Sequence, residues 1–256
     1  MLDGKPSIRK NRVPLDDPSY DPLFSYLEEE QIPVLYHSND PKEFWDASRI
    51  PAWARQMYLY NEEFPQKDQI TKETVGILKR HPKLNLTIAH MFFLPNTNEY
   101  ELACNLMETY PNFFMDLTPG WEMFGDMHKE AEKWKKYVEK YSNRLVYGTD
   151  MGGNKEDADR LLAMKRALET TEEFDVGEYT CFGLGLEDSS LKNIYRDTYL
   201  HRIQKGCPRQ ISMDEIEDYV KNIELRIGKY RNIDKDKALI EVNKFYGFIQ
   251  EEVKKR

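Results

Sequence analysis

Three polar residues stand at the ends of apolar, β-rich runs. Ile32-Pro-Val-Leu-Tyr36 ends at His37, the run 84–89 ends at His90, and Leu145-Val-Tyr147 continues through Gly148 and Thr149 to Asp150. In α/β barrels and open α/β sheets, residues at the carboxyl ends of parallel strands face the ligand site. Imidazole nitrogen and carboxylate oxygen are the donors that a divalent zinc, manganese or iron ion accepts while keeping a position open for water. A metal so held lowers the pKa of that water towards neutrality, and a nearby carboxylate or imidazole moves its protons. Spacing alone does not bring the three residues together, so their convergence depends on the fold. A lone histidine at a strand end is more often a hydrogen-bonded structural residue than a ligand. Asp150 is the stronger candidate, because glycine just before it permits a tight exit from a buried strand, and an acid there is costly unless paired or ligated. His81 precedes Pro82 at the end of a helical pattern and reads as a cap on the helix dipole. His128 and His201 read as surface or structural residues.

Parallel strands joined by helices are what would bring those ends together, and the hydrophobic pattern supplies them. The β-rich runs 32–36, 84–89, 113–117, 145–147 and 179–184 alternate with segments of helical period, as expected of βα units. The spacing predicts a helix over 72–80 with Thr71 as its N-cap, one over 98–110 with Asn98 and Glu101 as a capping-box pair, and one over 127–141. Beyond residue 188 only helices are expected: 190–202, then one opened by the capping box Ser212-Met-Asp-Glu215, then one from about Lys235. The first stretch, with Pro6, Pro14, Pro18 and Pro22, reads as a loop.

Composition narrows the class. The chain has 256 residues, 45 acidic against 37 basic, for a formal charge of −8. That balance argues against nucleic acid as a partner, which needs clustered Lys and Arg on one face. The basic end Lys254-Lys255-Arg256 is short and reads as a solvated helix terminus. No run approaches the ~20 apolar residues of a membrane span, and the start has no apolar core of a secretion signal, so a soluble cytoplasmic protein is expected. Aromatic residues at 12% are too many for a disordered chain. Cys104, Cys181 and Cys207 are widely spaced and odd in number, which indicates neither a disulfide framework nor a Cys-rich zinc site. The length suits one (β/α)8 barrel of roughly 250 residues, or two small domains.

Several of these segments, in order, carry a family likeness. His37 in its strand-end run, His81-Pro-Lys-Leu-Asn-Leu-Thr-Ile-Ala-His90, residues 112–117, and Arg144-Leu-Val-Tyr-Gly-Thr-Asp150 followed by 191–202 resemble the amidohydrolase-related branch of the amidohydrolase superfamily. The likeness covers roughly residues 1–205. It implies a distorted (β/α)8 barrel that binds one or two divalent metals and catalyses hydrolysis or, in the aminocarboxymuconate semialdehyde decarboxylase group, non-oxidative decarboxylation. By the same resemblance His37 is the metal ligand after the fifth strand, and His90 the histidine after the sixth, a ligand or a proton-transfer residue. Asp150 is then the aspartate after the eighth strand, a ligand, a proton carrier or both. The implied cofactor is a divalent metal, zinc first, with manganese as the alternative.

The sequence departs from the family pattern at two points. The superfamily places a His-x-His pair at the end of its first strand, and no His-x-His occurs here. If His37 ends the fifth strand, too few residues precede it for four βα units at roughly 30 residues each, although residues 1–3 suit the tail of the fourth. Thr198 stands where related chains usually carry asparagine. The expected fold is therefore α/β: a partial (β/α)8 barrel, strands 5–8 and the end of strand 4, over residues 1–205, with a helical extension over 206–256. The chain reads as the carboxyl half of a barrel, with metal weakly bound or absent.

The function expected is metal-dependent hydrolysis of a small polar or carboxylated substrate, with His37, His90 and Asp150 as ligands and His90 and Asp150 as catalytic groups. One alternative is a decarboxylase of the same family, whose substrate needs a cationic clamp for which Arg49, Arg55 and Lys5 are candidates. Another is an inactive partial barrel acting as a binding or homo-oligomer-forming module, with an open sheet edge at 32–36. The weakest is a sugar-cleaving barrel using Glu122 or Asp116 near Trp121. Trp45, Trp53, Trp121 and Trp134 read as packing residues.

Overall fold

The structure is a computed structural model that describes residues 2–3, 12–97, 99–118, 120–150, 157–204, 212–229 and 234–254. The chain divides into two compact units, Met1–Gly206 and Cys207–Arg256. In the first, β1 (Leu2–Asp3), β2 (Val34–His37), β3 (Leu86–Ile88), β4 (Phe113–Asp116) and β5 (Leu145–Val146) form one parallel sheet in sequential order. A doubly wound sheet reverses its strand order at a switch point, whereas a barrel adds each strand beside the last. This sheet is a sector of a (β/α)8 barrel that does not close. β1 lies beside β2, with Leu2 opposite Tyr36 and Asp3 opposite His37. The expected open edge at 32–36 is corrected at its carboxyl end only, where β1 covers Tyr36 and His37.

Helices connect the strands as parallel pairing requires. α1 (Asp21–Glu29) precedes β2, α2 (Lys67–Arg80) precedes β3 and α3 (Tyr100–Thr109) precedes β4; α4 (Trp121–His128) and α5 (Ala131–Lys140) precede β5, and α6 (Asp157–Glu169) follows it. Side chains alternate across a strand. Val34, Tyr36, Leu86, Ile88, Phe113, Met115 and Leu145 point to the helices and join Ile77, Leu106, Trp134, Tyr137 and Leu168 in the main core. The register aligns Leu35, Thr87 and Phe114 on the other face, and Asp116 with Val146. That second face opens towards the site.

Several local expectations are revised. α1 begins from a short turn, Pro18–Tyr20, with Pro22 in its own first turn, so the prolines there start a helix instead of prolonging a loop. α2 starts at Lys67, and the Thr71 hydroxyl donates to the Lys67 carbonyl inside the helix. Residues 127–141 are not one helix; the chain breaks at Glu130 between α4 and α5. The run 179–184 is not a fifth parallel strand, because β7 (Tyr179–Phe182) pairs antiparallel with β6 (Glu173–Val176). Only two residues join them, and Gly177 takes a φ of 61° there; a parallel crossover needs a dozen or more residues. His81 does cap α2: its N–H donates to Ile77, and its buried ring lies 3.2 Å from Asp21. Asn98, expected to cap α3, lies outside the described residues.

The last part of the first unit, α7, starts as Asp188–Lys192 and continues with wider, π-type winding to Ile203. It is stitched to the sheet. Tyr147 N–H donates to Ile194, the Thr198 hydroxyl to Ser142, and the Asn85 amide to Ile203. Thr198, in place of the family's usual asparagine, thus has a hydrogen-bonding role. Ile203 closes a small apolar cluster with Phe114 and Val146. The second unit holds α8 (Met213–Lys229) and α9 (Lys235–Lys254). Ser212 caps α8 by accepting from Glu215 N–H, Asp234 caps α9, and the Tyr246 hydroxyl donates to Glu217 across the pair. No helix among the described residues is long and apolar enough to cross a membrane.

Candidate active site

His37, His90 and Asp150 line a single cavity of about 1360 Å³ in the first unit. His37 and Asp116 reach it by strand alternation, being two residues beyond Leu35 and Phe114. The imidazoles of His37 and His90 meet edge to face, with ring centroids 5.0 Å apart and planes at 80°. Both residues are buried.

His90 opens an unusual turn. His90, Met91, Phe92 and Phe93 all have φ between 47° and 60°, a left-handed turn without glycine. Each such residue costs roughly 1–2 kcal/mol, so the surroundings must hold the turn. They do so in two ways. Met91, Phe92, Phe93 and Leu94 are buried in the core, and the Asp116 carboxylate accepts the backbone N–H of His90 at 2.7 Å and that of Thr118 at 3.1 Å. His90 Nδ1 lies 3.2 Å from the Thr118 carbonyl, which can only accept. The neutral ring therefore carries its proton on Nδ1 and its lone pair on Nε2.

His37 is held from the opposite wall. Its Nε2 lies 3.7 Å from Asp40 Oδ1. Asp40 is buried, accepts the Tyr60 hydroxyl at 2.7 Å, and its backbone carbonyl accepts Lys67 Nζ at 2.7 Å. The Asn39 amide donates to Thr71 at 3.0 Å. Lys67 is almost wholly buried, and that burial pushes its pKa down to about 8, against the pull of Glu99, Asp40 and Glu43.

Asp150 differs from its sequence reading. It is exposed, so no burial cost demands a partner for it. β5 ends at Val146, and Tyr147–Asp150 climb the cavity wall to its rim. Gly148 is needed on that path, because a Cβ there would stand 2.1 Å from Thr118 Oγ1. The neighbouring Arg144, part of the same motif, is structural. Its buried guanidinium donates to the carbonyls of Phe113, Met107 and Tyr110.

Other cavity residues escaped the sequence reading. Arg160 and Arg196 are the cationic side chains among its lining residues. The expected clamp residues are not: Arg49 sits in the solvent 3.8 Å from Glu43, Arg55 is exposed, and Lys5 lies outside the described residues. Glu122 lines the cavity beside Trp121, as does Asp116. Asp40, from the loop after β2, and the two arginines join the cavity only through the fold, and Tyr60 and Lys67 hydrogen-bond to Asp40 without lining it. Trp53 lies at the wall of the cavity, packed edge-on to Phe44 and Tyr58.

Residues 7–181 match the protein-family model described as Amidohydrolase. The chain belongs to that family. No curated protein matches the chain. Two solved structures are similar. One is an uncharacterised TIM-barrel protein of Bordetella bronchiseptica, 14% identical, TM-score 0.43, with 74% of this chain and 51% of that chain covered. The other, of Staphylococcus aureus and provisionally described as an amidohydrolase, is 16% identical, TM-score 0.45, with 77% and 62% covered. The chain thus spans 51% and 62% of their lengths, less than two thirds of either.

Amidohydrolases generally use metal, and the donor set here can be tested against one. Catalytic zinc takes three protein ligands and a water. Among the described residues, no three His, Cys, Asp or Glu side chains converge to hold an ion. Two imidazoles converge, while Asp150 reaches only the same cavity. As placed, these described residues do not converge on one ion.

Proposed function

We propose that this cavity hydrolyses a small polar or carboxylated substrate. The observation that carries the reading is that His37, His90 and Asp150, from three separate strand ends, line one cavity in a chain of the amidohydrolase family. His90, with Nδ1–H held by Thr118, offers Nε2 as the base that takes a proton from attacking water. His37, with its Nε2 3.7 Å from Asp40 Oδ1, is the polar group that faces the oxyanion developing on the substrate. Asp150, at the rim, exchanges protons between the imidazoles and bulk water. The family is generally metal-dependent, and the resemblance makes His37, His90 and Asp150 the ligands of zinc or manganese; as placed they do not converge on an ion, and no step above depends on one. The cytoplasm is the setting expected from the composition for this reaction.

A second reading is decarboxylation in the same cavity; Arg160 and Arg196 are the cations on its lining, both exposed, with Arg196 paired to Asp197 at 3.1 Å. Neutral and carboxylated nitrophenyl esters separate the two. Hydrolysis above background, faster for the carboxylated ester and slowed at least tenfold in H90A, is the expected result. Release of carbon dioxide from a carboxylated probe with no ester cleavage would replace hydrolysis by decarboxylation.

A further inference from the structure

We propose that Phe44, Trp53 and Tyr58 form a binding subsite for an aromatic ring of the substrate, with Trp53 as the residue that selects it. The proposal deepens the hydrolytic reading above and rests on it for the part played by the histidines. The subsite holds a portion of the substrate away from the reacting atoms.

The cavity has room for such a portion. At about 1360 Å³ it exceeds the roughly 300–1,000 Å³ of common small-molecule pockets, so a small polar group at His37 and His90 leaves much of it unfilled. Part of its wall is aromatic: Phe44, Trp53 and Tyr58 all line it, and all three come from the chain between β2 and α2. The Trp53 ring centroid lies 6.0 Å from that of Phe44 and 6.1 Å from that of Tyr58, while Phe44 stacks on Tyr58 at 5.4 Å. Rings at these spacings touch one another, so they make a continuous wall and enclose no gap. That shape suits a flat ring better than a compact ammonium group, which is held by rings arranged around it.

Trp53 is the open member of the wall. It is 55% exposed, whereas Trp134 is buried and Trp45 and Trp121 are half-buried. Phe44 and Tyr58 stand at 80° and 69° to its indole plane, so neither stacks parallel on it. Trp45 donates its indole N–H to the Pro65 carbonyl at 3.0 Å, but among the described residues the Trp53 indole N–H has no hydrogen-bond partner. An apolar ring left open beside an unpaired donor is suited to a ligand that carries both a ring and an acceptor.

The wall is fixed before a ligand arrives. Phe44, Ile50, Ala54 and Tyr60 form a small core of their own, apart from the main one, and Trp53 is held between buried Ile50 and Ala54 in the chain. The Ala54 N–H donates to the Pro51 carbonyl at 3.0 Å and the Tyr60 N–H to that of Phe44 at 2.8 Å. This core is also tied to the histidine end of the cavity. Tyr60 lies 6.2 Å from Phe44, ring to ring, its hydroxyl donates to Asp40 at 2.7 Å, and Asp40 lies 3.7 Å from His37. Side chains so held lose little freedom when a ligand binds.

Binding to the full chain decides the proposal without calling on catalysis. By calorimetry, 2-naphthoate, a flat ring with a carboxylate, is compared with decahydronaphthalene-2-carboxylate, which keeps the carbon skeleton but has no π face. The wild-type chain is expected to bind 2-naphthoate about tenfold more tightly, W53A to lose that preference and W53F to keep most of it. In chain labelled with fluorotryptophan, the fluorine resonance that is missing from W53F should move as 2-naphthoate is added. No binding of 2-naphthoate, equal binding of the two carboxylates, or a preference that survives W53A overturns the proposal. So does a Trp53 resonance that stays in place while calorimetry shows binding, or binding of choline in preference to 2-naphthoate. The hydrolytic reading fails separately, if p-nitrophenyl 2-naphthoate is bound but not cleaved.

Discussion

His90 is a residue whose backbone is as informative as its ring. It begins four left-handed residues without a glycine, and a carboxylate, Asp116, is committed to its N–H. That arrangement couples the histidine, which lines the cavity, to the exit of β4. Gly148 protects the same corner, because its missing side chain leaves room for Thr118, whose carbonyl accepts the hydrogen bond from His90 Nδ1–H. G148A is therefore expected to lower stability by about 1–3 kcal/mol in urea denaturation, the usual cost of overpacking. Adding T118A, which removes the clashing hydroxyl, should recover most of the loss. Arg144 is a contrasting case, since it belongs to the same sequence motif yet serves only the carbonyls beneath the sheet. Replacing it by methionine leaves those buried acceptors unpaired and should cost about 2–4 kcal/mol in the same assay.

Helix α2 holds the second histidine through an unusual anchor, a lysine inside the protein. Lys67 has a folded pKa near 8 against an ordinary 10.5. Between those values the unfolded chain binds the extra proton and the folded chain does not, so stability rises with pH across that window. Below about pH 8 both states are protonated and the lysine is a net cost. Chemical denaturation from pH 8 to 10 should show this rise, on the order of 2–3 kcal/mol, and K67M should abolish it. The hairpin β6–β7 offers a simpler test. Gly177 has open space around its Cβ position but a φ of 61°, so G177A isolates backbone strain and should cost about 1 kcal/mol. Hydrophobic period located every strand of the parallel sheet after β1, because parallel strands buried on the helix side must be apolar. It misread 179–184, since a strand in a hairpin and one in a crossover carry the same apolar residues and only the two-residue Gly177-Glu178 turn distinguishes them. It also missed the break at Glu130, where tertiary packing of α4 on the hairpin overrides a continuous helical stripe.

At the scale of the molecule, an unclosed barrel sector places its site where a closed barrel would, at the carboxyl ends of its strands. Strand-end position was enough to name His37, His90 and Asp150, because alternation and parallel order send those ends to one face. It could not place Asp40 in the loop after β2, or Arg160, Arg196 and Tyr179, which reach the cavity from helices and the hairpin. Nor could it show that Asp150 is exposed, since that depends on β5 stopping at Val146 and not at Tyr147. The central claim is that His37 and His90, edge to face in that cavity, act as one unit on substrate. The most direct test is a double-mutant cycle of H37A and H90A read as kcat/KM on a carboxylated nitrophenyl ester. Each single variant is expected to lose about a hundredfold, and the double variant no more than the worse single one, because neither group works without the other. Losses that multiply in the double variant, or single variants as active as the wild type, would contradict it.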